Sequence, residues 1–600
     1  MKKLFLLAIG SSILLSSCGT KNEETSNTPF ETKTMKDKNG MSYEMVEGDP
    51  MNVRLYTLEN GLKVYISPND AEPRIQTLIS VKAGSTYDPK ETTGLAHYLE
   101  HMMFKGTSNL GSSNWEAEKV LLDEVSNLFE AHKNETDPEK KKAIYVKIDS
   151  VSQEASKFSI PNEYDKLMSS FGAKGTNAYT SNEETVYIND IPSNEFNRWA
   201  KLERERFGEL VLRLFHTELE TVYEEFNRGQ DSDFRKSYQA LNKNLYPTHP
   251  YGQQTTIGEA EHLKNPSMVN IHNYWNTYYR ANNMAIILAG DLNPDEAIQT
   301  IKANWSDLPT NDNLEKPTFA KEQPITAPVE VEVYGPDAVY LQMGFRFDGI
   351  ASEDEKMVTL IQNLLSNRTA GLVDLNLVQQ QKILQASVFS NFLKDYGDMQ
   401  LYAAARDGQD LNEVKELLLG EIDKIKKGEF EEEMMEAVLN NLKLSEIRKR
   451  EENYRAYFIN DAFVRDIPWS NRVKFLDDLS QITKQQIVDF ANKKINDNYV
   501  IVYKRTGKDE NIVKVEKPQI TPIEINRDAE SEFLKTLSAE KASKIEPVFV
   551  DYKTSIQTSN PKEGLTLHYV KNIYSELSEM AFIIDLGKNE DPKIPFAFDY

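Results

Sequence analysis

The feature that most restricts the fold is a short run with helical spacing, GLAHYLEHMMFKGT, at residues 94–107. Within it His97 and His101 stand four positions apart, with Glu100 between them and apolar residues at the other helical positions. Positions i and i+4 of a helix lie about 40° apart around its axis, so both imidazoles share one face. A chain of this composition would contain the pattern by chance only ~0.02 times. The stretch therefore predicts a helix that opens near Thr93 and carries a candidate functional site on its polar face.

The polar face of this helix has the composition of a zinc site. Imidazoles one turn apart are suitable zinc ligands, and Glu100 lies within about 100° of both of them on the same side. A carboxylate in that position can take a proton from an attacking water and pass it to a leaving amine. The alternative interpretation is an exposed polar face or a capped helix end.

A catalytic zinc site needs a third protein ligand, and a second acidic helix, HTELETVYEEF, offers candidates. They are Glu218, Glu220, Glu224 and Glu225. Glu218 and Glu225 lie seven positions apart, almost in register on a face that also carries Val222. Unpaired carboxylates on such a face are costly to bury, and a nearby cation would remove that cost. Spacing alone leaves a metal ligand and a solvated helix equally open.

The first residues, MKKLFLLAIGSSILLSSCGT, have the pattern of an export signal. Leu15-Ser16-Ser17-Cys18 resembles a bacterial lipobox, which predicts a signal peptide at 1–18 and a lipid anchor on Cys18; an ordinary secretion signal is the alternative. Residues 19–50 are polar and predict a flexible tether. The body is then expected in the bacterial cell envelope, facing the periplasm or the cell surface, and attached to the membrane through Cys18.

Charge and length restrict the partners and the architecture. The net charge of -24 argues against a phosphate-binding surface, so nucleic acid is not an expected partner. A chain of 600 residues is longer than one hydrophobic core usually serves, so several domains are expected. Strand patterns followed by helical periodicity predict an α+β protein of mixed sheets packed with helices. The predicted order is a first domain at 51–308 with a helical-hairpin insertion at 114–160, a linker at 309–328, a second domain at 329–508, a connector at 509–552, and an incomplete third domain at 553–600.

An internal repeat supports this division. NGLKVYISPN at 60–69 recurs loosely as EGLTLHYVKN at 563–572, and GSTYDPK at 84–90 recurs as GKNEDPK at 587–593. Both matches keep one offset of 503 residues; chance or shared hairpin chemistry is the alternative. The offset places Tyr600 opposite His97, so the third domain is expected to lack the metal, and the natural chain is expected to continue beyond Tyr600.

His97-x-x-Glu100-His101 followed by the pair Glu218 and Glu225 resembles the inverted zinc motif of the pitrilysin and insulysin metallopeptidases, here in a bacterial lipoprotein. The resemblance runs from about residue 53 to 505 and resumes near 560. It implies that His97, His101 and Glu225 bind one Zn²⁺ ion, that Glu100 is the general base, and that Glu218 supports the site from behind the ligands. It also implies repeated metallopeptidase-like domains, the second of them non-catalytic, in two halves around a chamber, with the second half incomplete here.

The resemblance also implies a place for the substrate. GTNAYTSNEETVY, beginning at Gly175, resembles the edge strand on which this family lays its peptide, which puts Asn177 and Ala178 beside the substrate backbone. The sequence departs from the family in the 124 positions between His101 and Glu225, a longer separation than in most members. The excess coincides with the insertion at 114–160.

These observations predict a zinc-dependent endopeptidase that hydrolyses peptides or small unfolded polypeptides, with a metal-activated water as nucleophile and Glu100 as its base. The alternative is a non-catalytic peptide-binding or scaffold lipoprotein of the same fold, since some relatives have lost the metal site. The presence of both the base and the ligand set favours the enzyme.

Overall fold

The computed structural model describes residues 30–451, 454–510, 512–517, 520–523, 526, 528–587, 589 and 593. Helices and mixed sheets alternate along them, which confirms the predicted α+β class. The predicted export signal, Cys18 and the first part of the predicted tether lie outside the described residues. Within the described part of the chain, no helix is both long enough and apolar enough to cross a bilayer.

The first sheet is formed within residues 30–290, a stretch described without a gap. Its strands are β1 Thr32–Lys36, β2 Ser42–Val46, β3 Arg54–Thr57, β4 Lys63–Pro68, β5 Arg74–Val81, β6 Lys174–Thr180, β7 Thr185–Pro192 and β8 Met284–Gly290. Their order is β1-β2-β3-β4-β8-β5-β7-β6, antiparallel except for the parallel pair β4 and β8. Every residue of β8 is buried, whereas β6 is an edge strand.

Helices lie between and after these strands along the chain. They are α1 Leu95–Met102, α2 Trp115–Asn134, α3 Pro138–Ser156, α4 Glu163–Ser170, α5 Phe196–Gly208, α6 Phe215–Gln230, α7 Asp233–Leu245, α8 Pro250–Gln253, α9 Ala260–Leu263, α10 Met268–Tyr278 and α11 Pro294–Trp305. In α1 the side chains of Leu95, Leu99 and Met102 are buried in the main core of this domain. Burial of each such side chain stabilises the fold by about 1.5–3 kcal/mol. The apolar face therefore fixes the orientation of α1, which contains the histidine motif.

The tether predicted for 19–50 is wrong from residue 32 onward, because β1 and β2 lie there and extend the first sheet. On β2 the side chains of Tyr43 and Val46 are buried, whereas β1 at the sheet edge is mostly exposed. Asp49 closes the turn that follows, accepting hydrogen bonds from the N–H groups of Met51 and Val53. A polar edge hairpin resembles a spacer in sequence because only a few of its side chains reach the core.

The stretch predicted as a helical hairpin at 114–160 contains α2 and α3, which pack against each other. Asn114 caps α2, and Asp137 caps α3 with Pro138 in the first turn. Buried Arg213 donates to both carboxylate oxygens of Glu118 on α2, at 2.7 and 3.0 Å, and to backbone carbonyls of the loop after α1. The inserted helices are thereby attached to the loop that leaves the histidine helix.

A second sheet lies within residues 329–506, where all but 452 and 453 are described. Its strands are β9 Val329–Gly335, β10 Tyr340–Asp348, β11 Gln385–Phe392, β12 Tyr396–Ala404 and β13 Tyr499–Thr506, and its helices are α12 Asp354–Leu365, α13 Leu411–Lys427, α14 Glu432–Glu451, α15 Arg455–Val464, α16 Trp469–Val473, α17 Phe475–Ser480 and α18 Lys484–Lys494. The order β11-β12-β10-β13-β9, with β13 and β9 parallel, repeats the order and directions of β6-β7-β5-β8-β4.

Each sheet has a face covered by a helix that belongs to the other sheet's stretch of chain. Ile459 and Phe463 of α15 pack on the first sheet, and Leu241 of α7 packs on the second. A buried ion pair of 2.8 Å between Lys504 on β13 and Asp233 on α7 joins the same surfaces. The two sheets are therefore held together by a reciprocal exchange of helices.

The residues after 508 contain two further features. The predicted connector at 509–552 forms α19 Glu532–Ala539, whose Leu534 and Leu537 are buried in the first core. After α20 Tyr552–Ser555, strands β14 Gln557–Lys562 and β15 Leu565–Tyr569 form a hairpin. Gly564 in its turn has a φ of 78°, and Gly61 in the β3–β4 turn has a φ of 82°. The two turns keep the offset of 503 residues, so their geometry supports the repeat.

Candidate metal centre

The helix with the histidine motif begins at a glycine and is capped by a distant carboxylate. Gly94 has a φ of 88°, and a side chain there would meet the carbonyl oxygen of Ile257 at 2.8 Å. Buried Asp88 accepts hydrogen bonds from the N–H groups of Gly94 (2.7 Å) and Ala96 (3.0 Å), which satisfies free donors of the first turn. Burial raises the pKa of Asp88 to about 7. Both contacts fix the start of α1.

The structure brings three of the predicted residues together. The Nε2 atoms of His97 and His101 are 3.3 Å apart, and Oε2 of Glu225 on α6 lies 3.5 Å from the first and 3.7 Å from the second. Donors that bind a tetrahedral zinc ion at about 2.0–2.2 Å are separated by about 3.3–3.6 Å. The donor set and its spacing therefore fit a zinc ion.

The other acidic candidates on α6 lie in different surroundings. Glu224 is exposed and forms an ion pair with Lys517, and Glu220 lies near Tyr145 of α3. Glu224 and Glu225 are chemically identical, but only Glu225 lies on the side of α6 that faces the two imidazoles.

Glu218 contacts His101 from the side away from Glu225. The Nδ1–H group of His101 donates to Oε1 of Glu218 at 2.8 Å, and Nζ of Lys105 lies 2.5 Å from Oε2. Burial disfavours both charges, but their mutual attraction outweighs it, raising the pKa of His101 and, with Lys105, lowering the pKa of Glu218. A proton held on Nδ1 leaves the Nε2 lone pair of His101 available to a metal.

Glu100 lines the same cavity as the three donor residues and is 8% exposed. The hydroxyl of Thr180, at the end of β6, donates to its Oε2 at 2.5 Å. Burial raises the pKa of Glu100, although the Thr180 hydrogen bond opposes the rise. The carboxyl group consequently holds a proton more readily than an exposed glutamate.

His97 is held differently from His101. Burial, with the positive charges of His101 and Arg235, lowers the pKa of His97 to about 3, so this imidazole is neutral. Its buried Nδ1 has no hydrogen-bond partner among the described residues. Only one of the two imidazoles is therefore oriented by a carboxylate.

The donor atoms open into a cavity of about 840 Å³. Asn177 and Ala178, the predicted substrate-contacting residues, line it, and both belong to the edge strand β6. β6 pairs with β7 on one side, and no other strand of the described chain pairs with its opposite side. A backbone edge able to accept a further strand thus borders the candidate metal centre.

Sequence reasoning missed three residues that support the site. Thr180 lies two positions after Ala178, so alternation along a strand places both on one face and could have identified it. Lys105 follows His101 by four positions but lies beyond the end of α1 at Met102, so helical spacing does not place it. Asp88 gives no such signal, because its role depends on the loop that returns it to the start of α1.

Comparisons with known proteins show which class of protein the chain resembles. Two stretches of the chain match models of peptidase family M16, the insulinase family. Residues 64–122 match the family model described as "Insulinase (Peptidase family M16)", and residues 269–442 match the one described as "Peptidase M16 inactive domain". The first match includes the histidine helix, and the second extends into the second sheet.

Individual relatives agree with this class. The chain is 23% identical to the zinc protease PqqE of Helicobacter pylori over 65% of its own length and 77% of that protein. The crystal structure of a protease from Helicobacter pylori matches with a TM-score of 0.64 and 21% identity, covering 76% of this chain and 99% of that one. The first half of the periplasmic protease PqqL from Escherichia coli matches with a TM-score of 0.56 and 18% identity, covering 83% and 98%. The chain spans 54% of the longer PqqL structure.

Proposed function

We propose that the chain is a zinc-dependent endopeptidase that hydrolyses peptides or small unfolded polypeptides bound in an extended conformation. The observation that carries this proposal is the convergence of His97, His101 and Glu225 on a cavity that an open sheet edge also lines. The relatives named zinc proteases support peptidase activity.

We assign His97, His101 and Glu225 as the ligands of one Zn²⁺ ion. Two imidazoles and one carboxylate are a common ligand set of catalytic zinc, which leaves a position open. The bound ion would supply Lewis acidity at the scissile carbonyl. Glu218 orients His101 through its Nδ1–H group, and Lys105 holds Glu218 in turn.

Glu100 is assigned as the general base. It accepts a proton from the attacking water and then delivers that proton to the nitrogen of the departing amine, so that the carboxylate is regenerated. Its raised pKa suits the second step, because a buried carboxyl group retains the proton until the amine takes it. The Thr180 hydroxyl holds one oxygen in place.

The edge strand β6 is proposed to receive the peptide. An extended substrate would add to its open side through backbone hydrogen bonds, with Asn177 and Ala178 next to the scissile bond. Backbone hydrogen bonds form with most peptide sequences, so binding by strand addition suits a peptidase that acts on unfolded segments. Folded proteins offer few free strands of this kind.

The proposed location is the bacterial cell envelope, with a lipid anchor on Cys18. The relative described as a periplasmic protease supports the compartment, and the lipobox-like sequence supports the anchor. Expression of Cys18→Ser beside the wild type tests it. The wild type is expected in the membrane fraction and the variant in the soluble fraction, and equal partitioning would contradict the anchor.

The decisive test of the function is digestion of a peptide library by the wild type and by Glu100→Gln, each with and without a chelator. The wild type is expected to cleave only without chelator. Glu100→Gln should retain zinc but lose about 10²–10⁴-fold in rate, the usual contribution of a general base. Undiminished cleavage by this variant would reject the base assignment. Absence of cleavage by the zinc-loaded wild type would favour the scaffold alternative.

A further inference from the structure

The metal cavity is lined by two arginines that form no close ion pair within the described part of the chain. Arg228 follows Glu225 by about one turn on α6, and Arg235 lies in the first turn of α7; both are exposed and line the cavity. Among the described residues, neither guanidinium forms an ion pair. Buried arginines of this domain are paired instead, as Arg206 is with Glu203. Glu224 lies near Arg228 but forms its ion pair with Lys517. In a chain of net charge -24, two guanidinium groups without an ion pair in one cavity indicate an anionic ligand.

Arg235 stands where the metal cavity meets a smaller one. This side cavity, of about 190 Å³, shares Arg235, Thr256 and Ile257 with the metal cavity. Its other described lining residues are uncharged, among them Tyr238 and Gln239. The side cavity thus offers a polar space beside the metal centre with a single positive charge at its entrance.

A glycine on the neighbouring helix fixes the position of Arg235. A Cβ atom added at Gly229 would lie 2.3 Å from Nη1 and 3.1 Å from Cδ of Arg235, so this side chain crosses bare backbone of α6. Glycine inside a helix costs about 1 kcal/mol relative to alanine. Because the atom closest to the added Cβ is the end of a flexible side chain, Gly229→Ala should keep the helix and displace the guanidinium group.

We propose that Arg235, together with Arg228, binds a carboxylate of the substrate, so that the peptidase prefers acidic peptides. This inference rests on the proposed function and names the substrate class of the same site. A planar guanidinium group binds a carboxylate through two parallel hydrogen bonds. The carboxylate belongs either to an Asp or Glu side chain near the scissile bond or to the C-terminus of a short peptide.

The test compares peptides that differ only by Glu or Gln at each position around the scissile bond, each with a free or an amidated C-terminus. Wild type, Arg235→Gln and Gly229→Ala are assayed, with Arg368→Gln as the control, because Arg368 is exposed on the second domain. The ratio of kcat/KM for the Glu and Gln peptides is measured within each enzyme, so that general losses of activity cancel.

At one position the wild type should prefer Glu by about tenfold, the expected size of one charge-assisted contact. Arg235→Gln should reduce the ratio to near one, Gly229→Ala should reduce it partly, and Arg368→Gln should keep it. A preference restricted to free C-termini would identify the terminal carboxylate as the ligand.

Two results would overturn the inference in different ways. The first result is cleavage that depends on zinc and Glu100 but has the same Glu-to-Gln and acid-to-amide ratios in wild type and Arg235→Gln. It would reject Arg235 as the group that binds the carboxylate and leave the peptidase proposal intact. A zinc-loaded wild type that cleaves no peptide of the series or of the library would overturn both.

Discussion

The first and second sheets place the same five-strand topology beside two different helices. After β5 the chain forms α1, with His97 and His101, and α1 contacts α6, with Glu225. After β10 it forms α12, which contacts α14, but the buried residues of α12 include Ile361 and Leu364 and no histidine. Among the described residues, a cluster able to hold a metal occurs only beside the first sheet. The same strand topology therefore occurs both with and without a candidate metal site.

The difference shows how each helix pair is stabilised. Between α12 and its neighbours the buried side chains are mostly hydrocarbon, and the buried carboxylate of Asp354 is paired with Lys494. Between α1 and α6 the contact includes carboxylates and imidazoles that are partly buried, and such groups are costly without a compensating charge. Zinc at this place would supply that charge, so the first domain should depend on metal and the second should not.

The largest expected effect is that of Glu225→Ala. Loss of one of three ligands should reduce zinc from about one ion per chain to a small fraction and abolish peptidase activity. Metal content is measured by atomic mass spectrometry after dialysis. Glu224→Ala, one position earlier and exposed, is the matched control and should keep both zinc and activity. Full zinc occupancy in Glu225→Ala would show that another residue is the third ligand.

A core truncation in the second domain should separate stability from metal binding. Leu364→Ala removes a fully buried side chain from α12 and should lower stability by about 2–5 kcal/mol. Zinc content at low temperature should stay at the wild-type level. Leu99→Ala, equally buried in α1, should lower both urea resistance and zinc affinity. Zinc loss in Leu364→Ala alone would contradict the division between the domains.

A smaller effect is expected from Glu218→Gln. The amide keeps the shape of the side chain but removes the charge that orients His101, so zinc affinity should fall by about 10–100-fold. Competition with a chromogenic chelator measures the change, and Glu220→Gln on the same helix is the control. Equal affinities in the two variants would mean that Glu218 does not support the ligand.

The smallest effect concerns pH and the cap of α1. Because burial raises the pKa of Asp88 to about 7, its contribution to stability is fully present below its ordinary pKa of 3.8 and is lost as pH rises through about 7. The stability of wild type relative to Asp88→Asn should therefore fall by about 1 kcal/mol between pH 6 and pH 8. Urea unfolding at both pH values measures it. A difference that grows with pH would contradict the sign.

Much of the first domain could be predicted from local sequence. The Asn60-Gly61 turn, α1 and the inserted helices depend on spacing and capping over a few residues, and the structure has them at the predicted positions. The offset of the repeat led to Gly564, whose backbone conformation matches that of Gly61.

Other features depend on contacts distant in sequence. The approach of Glu225 to the two imidazoles spans 124 positions and depends on how α6 packs against α1, which no local pattern encodes. The tether prediction failed at β1 and β2 because a hairpin at a sheet edge needs few apolar residues. The position of Arg235 over Gly229 depends on the turn between α6 and α7.

The most direct test is anomalous diffraction at the zinc edge from crystals of the wild-type protein. The account predicts one strong peak within about 2.0–2.2 Å of Nε2 of His97, Nε2 of His101 and a carboxylate oxygen of Glu225. Crystals of zinc-supplemented protein with no peak there, or with the two imidazoles and the carboxylate turned away from a peak elsewhere, would contradict it.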